Sequence, residues 1–156
     1  MYTPQLANQN LDDLVIQGTD YVLIELSTRY DDPSVVRTLN SIVASGYIPI
    51  LAHVERYSYL INDSHRLFDL INHGVITQVN SKSINNEKYP FINAMIKRNL
   101  LHLIGSDAHN MGKRNPDLRG DLVPEEIYQN IKNVVSNKDV RIDKPSKLKR
   151  IFNKYL

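Results

Sequence analysis

Short apolar runs of strand length alternate with amphipathic stretches of helical period along most of this 156-residue chain, and that alternation narrows the fold more than any other feature. Tyr21 to Leu26, Tyr47 to Ala52, Val75 to Asn80 and Leu101 to Gly105 read as buried strands. A helix opening at Pro33, with Val35, Val36, Leu39, Ile42 and Val43 on one face, stops at Gly46; His65 to His73 is helical and capped by Gly74. Pro90 to Arg98 forms the next helix, Pro124 begins another carrying Ile127, Ile131, Val134 and Val135, and Ser146 to Leu156 is a last amphipathic one. Ahead of the first strand, Leu11 to Gly18 reads as a short helix with Asn10 as its N-cap. Strand and helix in turn at this spacing predict an α/β fold of parallel βαβ units, all of one crossover hand. No linker or break in composition marks a second domain, so residues 1–156 read as one domain. Four strands are too few for a closed (β/α) barrel, which takes about 250 residues. The chain is therefore either a small open sheet or part of a barrel whose remainder is absent.

Composition removes several classes of function. There is no cysteine, which excludes disulfide scaffolds, thiolate metal sites and cysteine-based phosphatase or protease chemistry. The formal net charge is only +2, and Lys and Arg gather between Lys138 and Lys154, where a solvated helix face accounts for them. A basic nucleic-acid module using Lys144 to Lys154 is the weakest alternative, since neither a base-reading motif nor interleaved aromatics accompany it. The first residues lack the basic start and apolar core of a signal peptide, and no apolar run reaches membrane-spanning length, so the expected location is cytoplasmic with no membrane insertion.

Chemistry-bearing residues stand where the apolar runs end. Glu25 closes Tyr21-Val-Leu-Ile-Glu, His53 closes Ile48-Pro-Ile-Leu-Ala-His, and Asp107 with His109 closes Leu101-His-Leu-Ile-Gly-Ser-Asp-Ala-His. If the runs are neighbouring parallel strands, these residues share the carboxyl rim on which α/β folds assemble their sites. Asp107 and His109, at i and i+2, leave an extended segment on one side and reach one cation; alternatively Asp107 caps a turn and His109 is a surface residue. With imidazole and carboxylate donors and no sulfur, His53, Asp107 and His109 suit Mn, Fe or Zn better than calcium. Glu25 is ambiguous: buried, it demands a partner or a metal; exposed on an edge, it demands nothing. Arg56 offers a planar donor fork suited to phosphate, although pairing with a neighbour such as Glu55 is the ordinary alternative. His65, His73 and His102 read as structural.

Leu51-Ala-His-Val-Glu-Arg-Tyr and Ile104-Gly-Ser-Asp-Ala-His-Asn, in this order after Tyr21-Val-Leu-Ile-Glu-Leu, resemble the polymerase and histidinol phosphatase (PHP) superfamily, in its branch of metal-dependent tyrosine-protein phosphatases from bacterial capsule and exopolysaccharide loci. Gly46-Tyr-Ile-Pro-Ile and Thr77-Gln-Val-Asn support the likeness. The resemblance implies a distorted (β/α) barrel with a multinuclear metal site, Glu25, His53, Asp107 and His109 as metal ligands, and Arg56 as the phosphate-binding arginine. It implies hydrolysis of phosphotyrosine on a kinase controlling polysaccharide export. Val54 departs from the proline usual in the motif. The family's His-x-His pair is absent upstream of Glu25, so the likeness is to the C-terminal part of the family fold, a partial barrel lacking its N-terminal strands. Met1 is then either a true start or an internal methionine of a longer frame. The expectations are an incomplete Mn (or Fe or Zn) site, a truncated, weakly active or inactive enzyme, and self-association through the open sheet edge. A non-catalytic remnant that still contacts the kinase is the alternative.

Overall fold

The computed structural model describes Leu6, residues 10–107 and residues 123–136; His109, the basic tail and the helix expected over Ser146 to Leu156 lie outside the described residues. The elements run β1 (Tyr21–Ile24), α1 (Val35–Ala44), β2 (Ile48–Leu51), α2 (Ser58–Asn62), α3 (Ser64–Asn72), β3 (Ile76–Asn80), α4 (Pro90–Ile96), β4 (Leu103–Gly105) and α5 (Glu125–Val135). All strand pairs are parallel, in the order β1-β2-β3-β4. The architecture is thus the α/β type that the alternating pattern predicts. The chain separates into two compact units, Met1–Thr77 and Gln78–Leu156, and the division falls within β3.

In the first unit β1 pairs with β2 from Tyr21↔Ile48 to Ile24↔Leu51, and β2 meets the opening residues of β3 through Ile50↔Ile76 and Leu51↔Thr77. Helix α1 buries Val35, Thr38, Leu39 and Ile42, and α3 buries Leu67, Leu70 and Ile71, the spacing of one helical face. Each Leu or Ile withdrawn from water in this way contributes about 1.5–3 kcal/mol. In the second unit the closing residues of β3 pair with β4 through Gln78↔Leu103, Val79↔Ile104 and Asn80↔Gly105, and α4 buries Phe91, Ile92, Met95 and Ile96. Helix α5 buries Ile127, Asn130 and Val134, while Val135, expected on the same face, is exposed. Asn130 occupies a core position because its Nδ2 donates to the Leu101 carbonyl at 3.0 Å.

The same turn joins helix to strand three times. After α1, Gly46 N–H donates to Val43 O at 3.0 Å and Tyr47 N–H to Ile42 O at 3.2 Å. After α3, Gly74 and Val75 repeat this toward Ile71 and Leu70 at 3.0 and 3.1 Å, and after α4, Asn99 and Leu100 repeat it toward Ile96 and Met95 at 3.1 and 2.9 Å. These paired bonds satisfy the last helical carbonyls and require a left-handed residue at the turn, supplied by Gly46 (φ 89), Gly74 (φ 97) and Asn99 (φ 54). The expected stops at Gly46 and Gly74 are found. Helix α4 ends at Ile96 rather than Arg98 because Asn99 takes the left-handed turn that glycine takes elsewhere.

The helix expected over Leu11 to Gly18 is a 3₁₀ turn, Leu11–Asp13, although Asn10 caps it by accepting the Asp12 N–H. Beyond it the chain becomes extended, and Val15 bridges Val22 antiparallel across the outer edge of β1, with Ile16 N–H donating to Tyr21 O at 2.8 Å. Gly18 (φ 79) and Thr19, whose Oγ1 donates to Ile16 O and accepts from Tyr21 N–H, close this hook. Among the described residues, no helix is long and apolar enough to cross a membrane.

His102 precedes β4 and is 1% exposed, consistent with its reading as structural. Burial lowers its pKa from 6.5 to about 4. Between those values the unfolded chain takes up a proton that the folded chain refuses, so the contribution is complete above pH ~6.5 and is lost as pH falls through about 4. Urea titrations are expected to show stability falling by about 3 kcal/mol more over this interval than in His102→Gln, whose side chain does not titrate. Identical pH slopes for the two proteins would contradict the burial of a neutral imidazole.

Candidate functional site

Backbone pairing between β1 and β2 ends when Ala52 N–H donates to Ile24 O at 2.9 Å. The next residue of the second strand, His53, turns left-handed (φ 53, ψ 45) and opens a 3₁₀ turn, Val54–Arg56, with Arg56 N–H donating to His53 O at 2.8 Å. A non-glycine residue in this region costs about 1–2 kcal/mol, and His tolerates it better than β-branched residues do. The imidazole itself is buried, 8% exposed. The turn re-aims the chain sharply, which brings His53 and Arg56 onto one short segment beyond the sheet.

Side chains then carry on the link that the backbone ladder has dropped. Arg56 Nη1 stands 3.9 Å from Glu25 Oε1, Tyr57 Oη accepts the Leu26 N–H at 2.9 Å, and Tyr59 Oη donates to Ser27 O at 2.8 Å. Three consecutive residues after β1 are thus tied to 56, 57 and 59 of the segment after β2. The Glu25–Arg56 pair is half-solvated, with side chains 45% and 35% exposed, and contributes no more than about 1 kcal/mol. Glu25 falls between its two alternatives, neither buried nor fully exposed. Glu55, weighed as the neighbour of Arg56 on the surface, is instead buried.

Tyr57 is fully buried, and desolvation first, then the Glu25 charge, push its phenol well above the ordinary range, against the Leu26 bond that lowers it. Tyr59 is raised to about 12, chiefly by burial. Both hydroxyls therefore remain neutral at any pH the protein meets. The loop that follows is anchored at its far side, where Arg66 pairs with Asp31 and Asp32 Oδ1 accepts from Ser34 N–H at 2.8 Å and Ser34 Oγ at 2.7 Å. The two Ser34 bonds hold the Asp32 carboxyl below its usual range.

In the second unit Asp107 stands two residues past β4, as His53 does past β2, and it too is left-handed (φ 55). The extended geometry expected for Asp107 and His109 therefore fails at Asp107, and His109 lies outside the described residues. Gly105, the last residue of β4, cannot carry a side chain without displacing a neighbour. A Cβ there would fall 3.0 Å from Gln78 Cδ and closer to Nε2, which donates to Val79 O at 2.7 Å.

His53 in the first unit carries an imidazole and Asp107 in the second a carboxylate, each a donor type that Mn, Fe or Zn accepts. Among the described residues no group of three or more His, Cys, Asp or Glu is clustered for metal binding. Only the donor types of the individual residues suit such an ion. Tyr57 and Tyr59 were not expected at the site. The available signal was an aromatic pair directly after Arg56, each ring with a polar end able to fix a neighbouring backbone when buried.

A family model described as capsular polysaccharide synthesis, CpsB/CapC, matches residues 3–140. The tyrosine-protein phosphatase CpsB of Streptococcus pneumoniae is 30% identical over 144 residues, which cover 85% of this chain and 57% of that protein. The tyrosine-protein phosphatase YwqE of Bacillus subtilis (strain 168) is 25% identical over 151 residues, 88% of this chain and 59% of that one. The chain therefore spans little more than half the length of these relatives. A solved structure described as YwqE from Bacillus subtilis and CpsB from Streptococcus pneumoniae, unique metal-dependent tyrosine phosphatases, aligns with a TM-score of 0.73 at 24% identity, covering 93% of this chain and 65% of that one. That alignment establishes a shared fold.

The left-handed backbone at His53 can be read in a pair of variants. His53→Gly and His53→Ala both remove the imidazole, but only glycine relieves the backbone, so His53→Gly is expected to be the more stable by about 1 kcal/mol in urea unfolding. An alanine variant as stable as the glycine variant would show that the residue is not held left-handed.

Proposed function

This chain belongs to the CpsB/CapC family of capsular polysaccharide synthesis, and from that premise we propose that it is a metal-dependent phosphotyrosine-protein phosphatase acting on a tyrosine kinase that regulates capsular or exopolysaccharide synthesis. The observation that carries the reading is the turn after β2, which places His53 and Arg56 on one segment with Arg56 loosely paired to Glu25. In this reading Glu25, His53, Asp107 and His109 are the residues that hold metal, with manganese preferred over iron or zinc, and Arg56 binds the phosphate. Those roles rest on the strand-end motifs.

A divalent ion held by Glu25, His53, Asp107 and His109 would supply activation of water near neutral pH. Arg56 contributes two parallel N–H donors to the phosphate oxygens, where charge accumulates as the ester bond to the tyrosine oxygen breaks. When phosphate arrives, Glu25 gives up its place on Arg56, which a half-solvated pair does at small cost. No covalent cysteinyl phosphate enters, because there is no cysteine. On this reading Glu25, His53, Asp107 and His109 supply part of a multinuclear shell, and slow turnover is expected of these residues alone.

Hydrolysis of p-nitrophenyl phosphate and of a phosphotyrosyl peptide, each with manganese, tests the reading. The expected result is a manganese-dependent rate well below that of the full-length pneumococcal relative, lowered about 100-fold or more by Arg56→Ala and abolished by His53→Ala. A rate that survives chelation, or that is the same in both variants as in the parent, would overturn it. A rate equal to the full-length relative's would overturn the partial shell.

A further inference from the structure

We propose that Tyr57 is a positioning residue for phosphate binding: by accepting the Leu26 amide proton, its buried phenol holds the Glu25 and Arg56 side chains opposite one another. The inference rests on the reading of Arg56 as the phosphate-binding arginine and adds what keeps that arginine in place. The register of β1 with β2 ends at Ile24↔Leu51, Ala52 N–H donates to Ile24 O, and His53 then swings the second segment away. Side chains span the gap, and among these links the 2.9 Å bond from Leu26 N–H to Tyr57 Oη is the buried one. Its neighbours in sequence on each strand, Glu25 and Arg56, form the solvated pair at 3.9 Å.

A solvated ion pair cannot fix its own geometry, because water competes for both ends. A buried amide–phenol bond can, because breaking it leaves an N–H without an acceptor where water does not reach. The ring of Tyr57 would fill the core equally well as phenylalanine. The hydroxyl is therefore explained by the bond rather than by packing. Tyr59 adds a second tie through Ser27 O at 2.8 Å, and the two rings lie 6.0 Å apart between centroids, so the two phenols brace one stretch of backbone.

Calorimetric titration of the chain with inorganic phosphate separates a positioning role from a merely structural one. Tyr57→Phe is expected to weaken phosphate binding about tenfold. In an Arg56→Ala background the same change is expected to weaken it no further, since a residue that acts through Arg56 has nothing left to act on. Equal weakening in both backgrounds, or none in either, would overturn the proposal. If Arg56→Ala itself leaves phosphate binding unchanged, the phosphate reading of Arg56 fails and this inference with it; weakening by Arg56→Ala alone defeats only the role of Tyr57. Amide hydrogen exchange on the unaltered chain supplies a readout that needs no variant. Strong protection at Leu26 is expected, and exchange at the rate of an unstructured amide would overturn the proposal even if Tyr57→Phe failed to fold.

Discussion

A parallel βαβ unit depends on a tight reversal at the end of each helix, where the final carbonyls must find donors within two residues of the start of a strand. In this chain one hydrogen-bonding pattern solves the problem after α1, α3 and α4, each time with a left-handed residue, Gly46, Gly74 or Asn99. The turn leads into β2 two residues after Gly46 and into β3 two residues after Gly74, and into β4 four residues after Asn99. The strands pair in parallel in the order β1-β2-β3-β4. Gly74 also sits against a neighbouring helix, since a Cβ there would lie 3.6 Å from Val43, a contact within ordinary packing distance.

The left-handed conformation reappears at the opposite ends of strands with a different purpose. At Gly46 and Gly74 the residue has no side chain to aim, whereas at His53 and Asp107 the chain accepts strain at residues whose side chains can bind metal. Both lie two residues beyond their strands. A strained backbone at such a position turns a donor away from the direction the strand would give it. That is why the arithmetic of extended segments, in which i and i+2 share a side, did not carry through to Asp107.

Much of the architecture was legible because the hydrophobic period changes sharply between elements. The strands stand out as short, largely apolar runs, and two of the three reversals are marked by glycines. The third was hidden by Asn99, which adopts the same backbone without the compositional signal. The first eight residues of the apolar pattern, Leu11 to Gly18, were misread because two alternating apolar positions in a short extended hook resemble one turn of an amphipathic helix. At the site, residue types that bind metals and phosphate stood out at the ends of the runs. The tyrosines that hold the segment together did not, since a buried phenol and an exposed one are written identically and only the fold decides which has Leu26 N–H within reach. Likewise, nothing in the local sequence distinguished Glu55 as buried and Glu25 as the partner of Arg56.

The hook across β1 bears on the order in which the molecule assembles. Val15 and Val22 are seven positions apart in the chain, whereas β1 meets β2 only through residues such as Tyr21 and Ile48, with a whole helix between them. Closing the short loop takes microseconds, while parallel pairing must wait for a helix to form and fold back. The contact that covers the outer edge of β1 along Tyr21 and Val22 is thus the more local of the two and the faster to close. While it lacks its partner an apolar strand is most exposed to pairing with a strand from another molecule, and a closed hook leaves it one free side instead of two.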